Sequence, residues 1–323
     1  MLDRILTVRV TRIIRQTPDI LAFELSHPWG RSLPAYSAGA HLDVHMPGGF
    51  MRQYSLVRAP GVDDALAAPY VIAVKREAAS RGGSASLHER VREGDLLPVS
   101  APRNTFALVP HARKHILLAG GIGLTPLLAM AQSLVQQGAD FEFCCFARSQ
   151  GHLAFADVLR APALAPHVRL HFDDAAAEEK IDLSQLLSTP AADTHLYVCG
   201  PTGFMQAVRS AAAGWSEENI HSEYFAPPTT GAGSGIDNPF ELVLARRGIT
   251  VTVAADQTAV DALHDVGIDI PTSCEQGLCG TCVVDCLDGE VEHRDFCLTS
   301  GERKNKVALC CSRAKSGPLV LDL

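Results

Sequence analysis

The sequence predicts a multidomain α/β + β chain: an antiparallel β-barrel, a parallel α/β domain and a small C-terminal β module. Three observations carry that expectation. Residues 1–109 hold short apolar runs alternating with polar residues and broken by Gly and Pro, the texture of a barrel or sandwich. Residues 110–226 alternate strand-like and helix-like runs, the texture of a parallel sheet covered by helices. Residues 240–323 follow a Gly-, Ser-, Thr- and Pro-rich stretch at 227–239 and hold most of the ten cysteines.

Each element follows from its local pattern. ILTVRVTRII, ILAFELS, HLDVHM, MRQYSLV and YVIAVKR alternate at period two, which turns one face of each strand to a core. SASLHERVREG is the single helical candidate of this region, and DLLPVS returns to a strand. HILLAG, FEFCCFA, VRLHFDD and HLYVCGP then read as buried strands. LTPLLAMAQSLVQQG, HLAFADVLRAP, DLSQLLS and TGFMQAVRSAAAG read as the helices between and after them. In the last module ELVLARRGITVTVAAD is a hairpin pattern, TAVDALHDVG a helix, and TCVVDCLDGEV a strand beyond the cysteine loop.

Bulk properties narrow the function. A hydrophobic share of 47 % and a charged share of 20 % are ordinary for a globular protein. The net charge of −8 argues against a nucleic-acid partner. No apolar run reaches membrane-spanning length, and MLDRILTVRV lacks the apolar core of a signal peptide. The expectation is a cytoplasmic protein that engages neither nucleic acid nor membrane. In a reducing compartment clustered cysteines point to metal or redox chemistry rather than disulfides.

Cys274, Cys279, Cys282 and Cys310 read C-x4-C-x2-C, then a gap of 27 residues, then C. Three thiolates on one loop and a fourth from afar form the ligand set of a plant-type [2Fe–2S] cluster. Gly277 and Gly280 permit turns that aim backbone N–H groups at sulfur. A structural zinc site is the rival, but it calls for paired C-x2-C units and only Cys279–Cys282 supplies one. Cys286, Cys297 and Cys311 are expected to be small buried hydrophobes.

Two further motifs suit nucleotides. Gly120, Gly121 and Gly123, in AGGIGLTP, follow a strand and open a helix, with Thr125 expected as N-cap and Pro126 as first helical residue. Free N–H groups at such a helix start suit a pyrophosphate. Cys199, Gly200 and Pro201 end another strand at a carboxyl edge, where ligands collect in open sheets. In the barrel region, Arg52 offers a planar fork for phosphate, Tyr54 an aromatic face and Ser55 a hydroxyl donor. The 13 histidines are expected in solvated or core roles, and Trp29 and Trp215 as packing residues.

Taken together, these motifs resemble the phthalate dioxygenase reductase family over essentially the whole chain. The resemblance implies a flavin-binding barrel at 1–109, a NAD-binding α/β domain at 110–226, a linker at 227–239 and a ferredoxin β-grasp domain at 240–323. R-x-Y-S is that superfamily's flavin motif, and Ala73-Val74-Lys75 with Arg81-Gly82-Gly83-Ser84 resembles its second flavin segment. Thr125 and Phe225 complete the implied flavin set. The family implies FMN, with FAD as the alternative. Its G-G-x-G-x-T-P and C-G-P segments border the nicotinamide, with the Cys199 thiol near the ring and no residue acting as a catalytic acid or base. Arg148 resembles the residue contacting the adenosine half, and Glu223 is a candidate for placing the nicotinamide. Arg148 has Ser149 and Gln150 beside it rather than a second cation, and Asp173-Asp174 follow the third strand, which favours NADH over NADPH. The fourth cluster ligand precedes x-S-R-A in the family, here Cys310 before Cys311-Ser312-Arg313-Ala314.

A nicotinamide gives up electrons in pairs and a [2Fe–2S] cluster takes them singly, so a flavin is the converter between them. The implied route runs from NADH through FMN and the cluster to a terminal Rieske oxygenase component, docked transiently by a monomeric reductase. The alternatives are a stand-alone reductase of ferredoxin or dyes and a cluster-bearing redox sensor.

Overall fold

The computed structural model describes residues 5–58, 68–78, 82–190, 192–227, 237–299 and 301–323. They fall into two compact units, Met1–Phe225 and Ala226–Leu323. Arg81 and most of the 227–239 stretch lie outside the described residues.

The first unit begins with six antiparallel strands: β1 (Ile5–Thr17), β2 (Ile20–Ser26), β3 (His41–Met46), β4 (Phe50–Ser55), β5 (Tyr70–Lys75) and β6 (Leu96–Ser100). Their order is β4-β3-β6-β1-β2-β5. The two end strands meet just past β4, where Leu56 bridges Ile72 and the Val57 N–H donates to Val71 O at 2.8 Å. That seam draws the two end strands together and curls the sheet into a barrel. Period-two alternation fills the interior with Val8, Val10, Leu42, Val44, Ile72, Val74, Leu97 and Val99. The short helix α1 (Gly83–Arg90) lies between β5 and β6 and buries Leu87.

The same unit continues into a parallel sheet of β7 (Lys114–Gly120), β8 (Phe141–Ala147), β9 (Val168–Phe172), β10 (Thr194–Cys199) and β11 (Ile220–Glu223), ordered β11-β10-β7-β8-β9. Helix α2 (Leu124–Gln137) buries Leu124, Leu127, Leu128, Ala131 and Leu134, a stripe at helical spacing. Each of its fully buried leucines contributes about 1.5–3 kcal/mol through removal from water. The remaining helices of this part are α3 (Ala156–Leu159), α4 (Leu183–Leu186) and α5 (Thr202–Ala211).

Three local expectations are corrected. HLAFADVLRAP forms only the four-residue α3, because Gln150–His152 makes a 3-10 turn and Phe155 takes a left-handed φ of 55° that interrupts helix growth. Trp29 is 75 % exposed, so it is no packing residue, whereas Trp215 is buried and donates its indole N–H to Leu187 O at 2.9 Å. Thr125 is not the N-cap: a 3-10 turn at Gly121–Gly123 runs straight into α2, Gly123 takes the cap position, and the Thr125 hydroxyl donates back to Ile122 O at 3.0 Å.

The second unit holds β12 (Phe240–Leu244), β13 (Ile249–Val253), α6 (Ala259–Asp265), β14 (Val283–Glu292), β15 (Lys306–Ala308) and β16 (Arg313–Leu321). The sheet order is β13-β12-β16-β14-β15, with β12 and β16 parallel and the other pairs antiparallel. Helix α6 starts at a capping box in which Thr258 and Asp261 satisfy each other's backbone N–H. Phe240, Leu242, Val253, Leu263, Val307 and Leu321 form the core beneath it.

Candidate active site and metal centre

In the parallel sheet the chain leaves β7 toward β8 and β9 on one side and returns to β10 and β11 on the other. The carboxyl ends of β7 and β10 therefore diverge, and a crevice opens at that switch point. Gly120, Gly121 and Gly123 line one side, and Cys199, Gly200 and Pro201 the other. The two backbones touch: a Cβ on Gly123 would fall 2.2 Å from Cys199 O, and one on Gly200 would fall 3.0 Å from Gly120 Cα. Both glycines are required by space. No side chain caps α2, so its first-turn N–H groups keep the orientation that suits an anion.

Three strand ends bring their side chains together beside this crevice. Ser55, the last residue of β4, donates its hydroxyl to Glu223 Oε2 at 3.2 Å. Glu223 closes β11, which pairs in parallel with β10 so that Glu223 stands opposite Cys199. Burial pushes the Glu223 carboxyl up to about 8, opposed by the Ser55 hydrogen bond. Burial raises the Cys199 thiol well above its usual value, and the neighbouring Glu223 adds to the shift. At neutral pH the cluster holds a protonated carboxyl and a protonated thiol, with no formal charge.

The barrel segment divides into two groups. Arg52 packs over Gly83, where a Cβ would lie 2.8 Å from Arg52 Cγ, and α1 starts there with no side-chain cap. Tyr54 is half-buried against the barrel core, and Ser84 accepts the Glu77 N–H at 3.2 Å. Arg52, Gly83 and Ser84 thus form one cradle at a helix start. Ala73 and Val74 bury their side chains in cores on opposite faces of β5, leaving only backbone to offer a ligand. Lys75 stands apart from Arg52 and lines a different cleft. Phe225 is 44 % exposed, two residues beyond Glu223.

That second cleft, of about 520 Å³, lies beside the crevice and shares Gly120, Gly121 and Pro201 with it. Arg148, Asp173, Phe146 and Phe204 line it, together with Asp19 and Lys75 from the barrel. Arg148 donates to Asp19 Oδ2 at 3.3 Å. Neither Asp19 nor Phe204 was visible as a site residue in the sequence. Asp19 is one acid in a strand-to-strand turn, and Phe204 reads as an ordinary helix aromatic until its ring is found against Gly120 and Gly200.

In the second unit the loop from Cys274 to Cys282 meets Cys310. The thiols approach in twos: Cys274 with Cys279, and Cys282 with Cys310, each pair within hydrogen-bond reach. Among the described residues no three such side chains converge as on a single metal ion. Pairs suit two irons with two thiolates each and do not suit one tetrahedral zinc. Backbone N–H groups point at the sulfurs: Gln276 and Leu278 at Cys274 (3.4 and 3.3 Å), Gly277 at Cys310 (3.3 Å), and Thr281 at Cys279 (3.4 Å). Gly277 carries a φ of +72°, and a Cβ there would sit 2.7 Å from Cys311 Sγ and 2.9 Å from Asp295 Cα. Cys286, Cys297 and Cys311 are half-buried rather than buried, and the last two pack beside the ligand cysteines.

Residues 242–315 match the model of the 2Fe-2S iron-sulfur cluster binding domain. The chain is 44 % identical to the vanillate O-demethylase oxidoreductase of Pseudomonas sp. strain HR199, over 98 % of each chain. The solved structure of phthalate dioxygenase reductase, described as modular for electron transfer from pyridine nucleotides to [2Fe-2S], is 36 % identical, covers 99 % of this chain and 98 % of its own, and superimposes with a TM-score of 0.71. A type IV self-sufficient cytochrome P450 monooxygenase matches 99 % of this chain at 38 % identity and a TM-score of 0.89, and the chain spans 41 % of that longer one. No helix among the described residues is long and apolar enough to cross a membrane. With relatives matched end to end at this identity, the chain belongs to the phthalate dioxygenase reductase family of oxygenase-system reductases.

Proposed function

We propose that this chain is the NADH-dependent FMN and [2Fe–2S] reductase of a Rieske-type aromatic oxygenase or O-demethylase system. The observation that carries the reading is the meeting of Ser55, Glu223 and Cys199 at the switch-point crevice, between a glycine-rich turn and a barrel cradle. A bound flavin converts a hydride from nicotinamide into single electrons that a bound [2Fe–2S] cluster accepts.

The residues bind, orient and exclude. Arg52, Gly83 and Ser84 hold a single terminal phosphate, which supports FMN over the longer FAD, and Tyr54 and Phe225 supply aromatic faces. Gly120, Gly121 and Gly123 let the start of α2 approach a pyrophosphate, and Arg148 takes the adenosine half. Cys199, Gly200 and Pro201 bound the nicotinamide. The Cys199 thiol stays protonated, so it is a neutral packing surface and no competing nucleophile. Glu223 keeps its proton at neutral pH, which lets it donate a hydrogen bond toward a carboxamide while Ser55 fixes its other oxygen. In the second unit, Cys274, Cys279, Cys282 and Cys310 hold the cluster, and the N–H groups of residues 276–278 and 281 offset its negative charge.

The domain limits 1–109, 110–226, 227–239 and 240–323 belong to the same reading, as do a cytoplasmic monomer and a transient oxygenase contact. The match to a P450 fusion supports a second acceptor class, a haem monooxygenase. Anaerobic stopped-flow with NADH tests the whole: flavin bleaching must precede cluster bleaching, and released cofactor must be FMN by mass with two irons per chain. Reoxidation by a Rieske oxygenase and not by a P450 sustains the first acceptor; the reverse sustains the second.

A further inference from the structure

The cleft beside Arg148 contains basic groups that are already held. Arg148 donates to Asp19 Oδ2 at 3.3 Å, and Lys75 pairs with Glu77 at 3.0 Å. Two carboxylates, Asp19 and Asp173, line the same space. They differ in how firmly they are placed. Asp173 is exposed, with the His171 ring 3.7 Å away as its neighbour. Asp19 accepts the hydroxyl of buried Thr17 at 2.7 Å, and its carbonyl accepts the Arg76 N–H at 2.7 Å. Burial works against its charge, yet the Thr17 hydroxyl, Arg148 and Lys75 hold its carboxyl below the usual range. A well-held carboxylate therefore faces a more exposed guanidinium across the cleft.

We propose that Asp19, a barrel residue, is a specificity-determining residue for the pyridine nucleotide: its carboxylate tethers Arg148 and sets the cleft against a second phosphate on the adenosine ribose. A ribose hydroxyl can be accommodated beside an acceptor such as Asp19, because it donates a hydrogen bond. A ribose phosphate meets two carboxylates, and it gains Arg148 only by breaking the Asp19 pair. The inference rests on reading this cleft as the site of the adenosine half.

The test uses the full-length holoprotein and two probes, 5′-AMP and adenosine 2′,5′-bisphosphate, by calorimetry, with the KM values for NADH and NADPH alongside. Asp19→Asn keeps the acceptor for Thr17 and removes only the charge. It is expected to shift the binding preference toward the bisphosphate by about threefold, the scale of one exposed ion pair. The NADPH-to-NADH ratio of KM values should fall in step. Asp19→Glu should keep the original preference, and in an Arg148→Ala background Asp19→Asn should shift it less, since only the repulsion by the carboxylate itself is then removed. An unchanged preference in Asp19→Asn, or the same gain without Arg148, overturns the inference while leaving the site assignment intact. Binding of 5′-AMP that ignores Arg148→Ala overturns the site assignment and the inference together.

Discussion

The two redox-bearing regions are built in opposite ways. The cysteine loop is local: three of its four thiols and all four of the N–H donors that face them come from residues 274–282. The Ser55–Glu223–Cys199 site is assembled from strand ends, and its central hydrogen bond joins residues 168 positions apart. A local site can fail without the rest of the fold. A dispersed site fails whenever any of its strands shifts, since positioning errors of about 1 Å already cost rate.

The largest test of that contrast is Cys279→Ser. It is expected to abolish the cluster's visible and EPR signals while NADH still bleaches the flavin; loss of both activities would break the distinction. Next comes Gly277→Ala, which places a methyl group against Cys311 Sγ and the Asp295 backbone at positive φ. Denaturant melts of the second unit should show about 1–3 kcal/mol of lost stability, with reduced iron content and an unaltered first unit.

In the dispersed site, Ser55→Ala should slow flavin reduction by NADH about tenfold, the worth of one hydrogen bond in the transition state. Glu223 gives the pH signature. Its carboxyl titrates near 8 in the fold against an ordinary 4.5, so the native state retains a proton the unfolded chain has lost. Its stabilising contribution is complete below about pH 4.5 and declines as pH rises through 8. Glu223→Gln should flatten the fall in melting temperature between those limits; an equal slope in both proteins would remove the buried-acid account. The smallest effect belongs to Asp237→Ala, which removes the carboxylate that Arg294 grips at 2.7 and 3.0 Å. Partly exposed, that pair is worth at most about 1 kcal/mol to the second unit in a thermal melt.

The same contrast explains what was legible in the sequence. Cys274, Cys279, Cys282 and Gly277 could be read because cluster chemistry imposes a spacing on neighbouring residues. Gly120, Gly123 and Gly200 could be read because a tight turn after a strand demands small residues. The barrel and the parallel sheet followed from periodicity, which burial enforces residue by residue. The Ser55–Glu223 bond could not be read, because it depends on β11 pairing with β10 and on where the barrel seam closes. Asp19 was invisible for the same reason. The stacked imidazoles of His195 and His221, 3.0 Å apart between ring nitrogens, also arise only through parallel pairing of β10 and β11. Phe155 misled the helix expectation because its left-handed backbone has no signature in side-chain pattern.

β11 is four residues long and sits at the margin of its sheet, held by a single neighbour. Such a marginal strip is the cheapest piece of a domain to peel away. Yet it ends in the carboxyl that Ser55 grips, and the second unit begins at Ala226, three residues beyond Glu223. Where a fragment of this reductase is cut therefore matters more than its length suggests: on the proposed reading of the site, a boundary a few residues upstream of Phe225 is expected to spare the glycine turn and the cradle and still slow the hydride step.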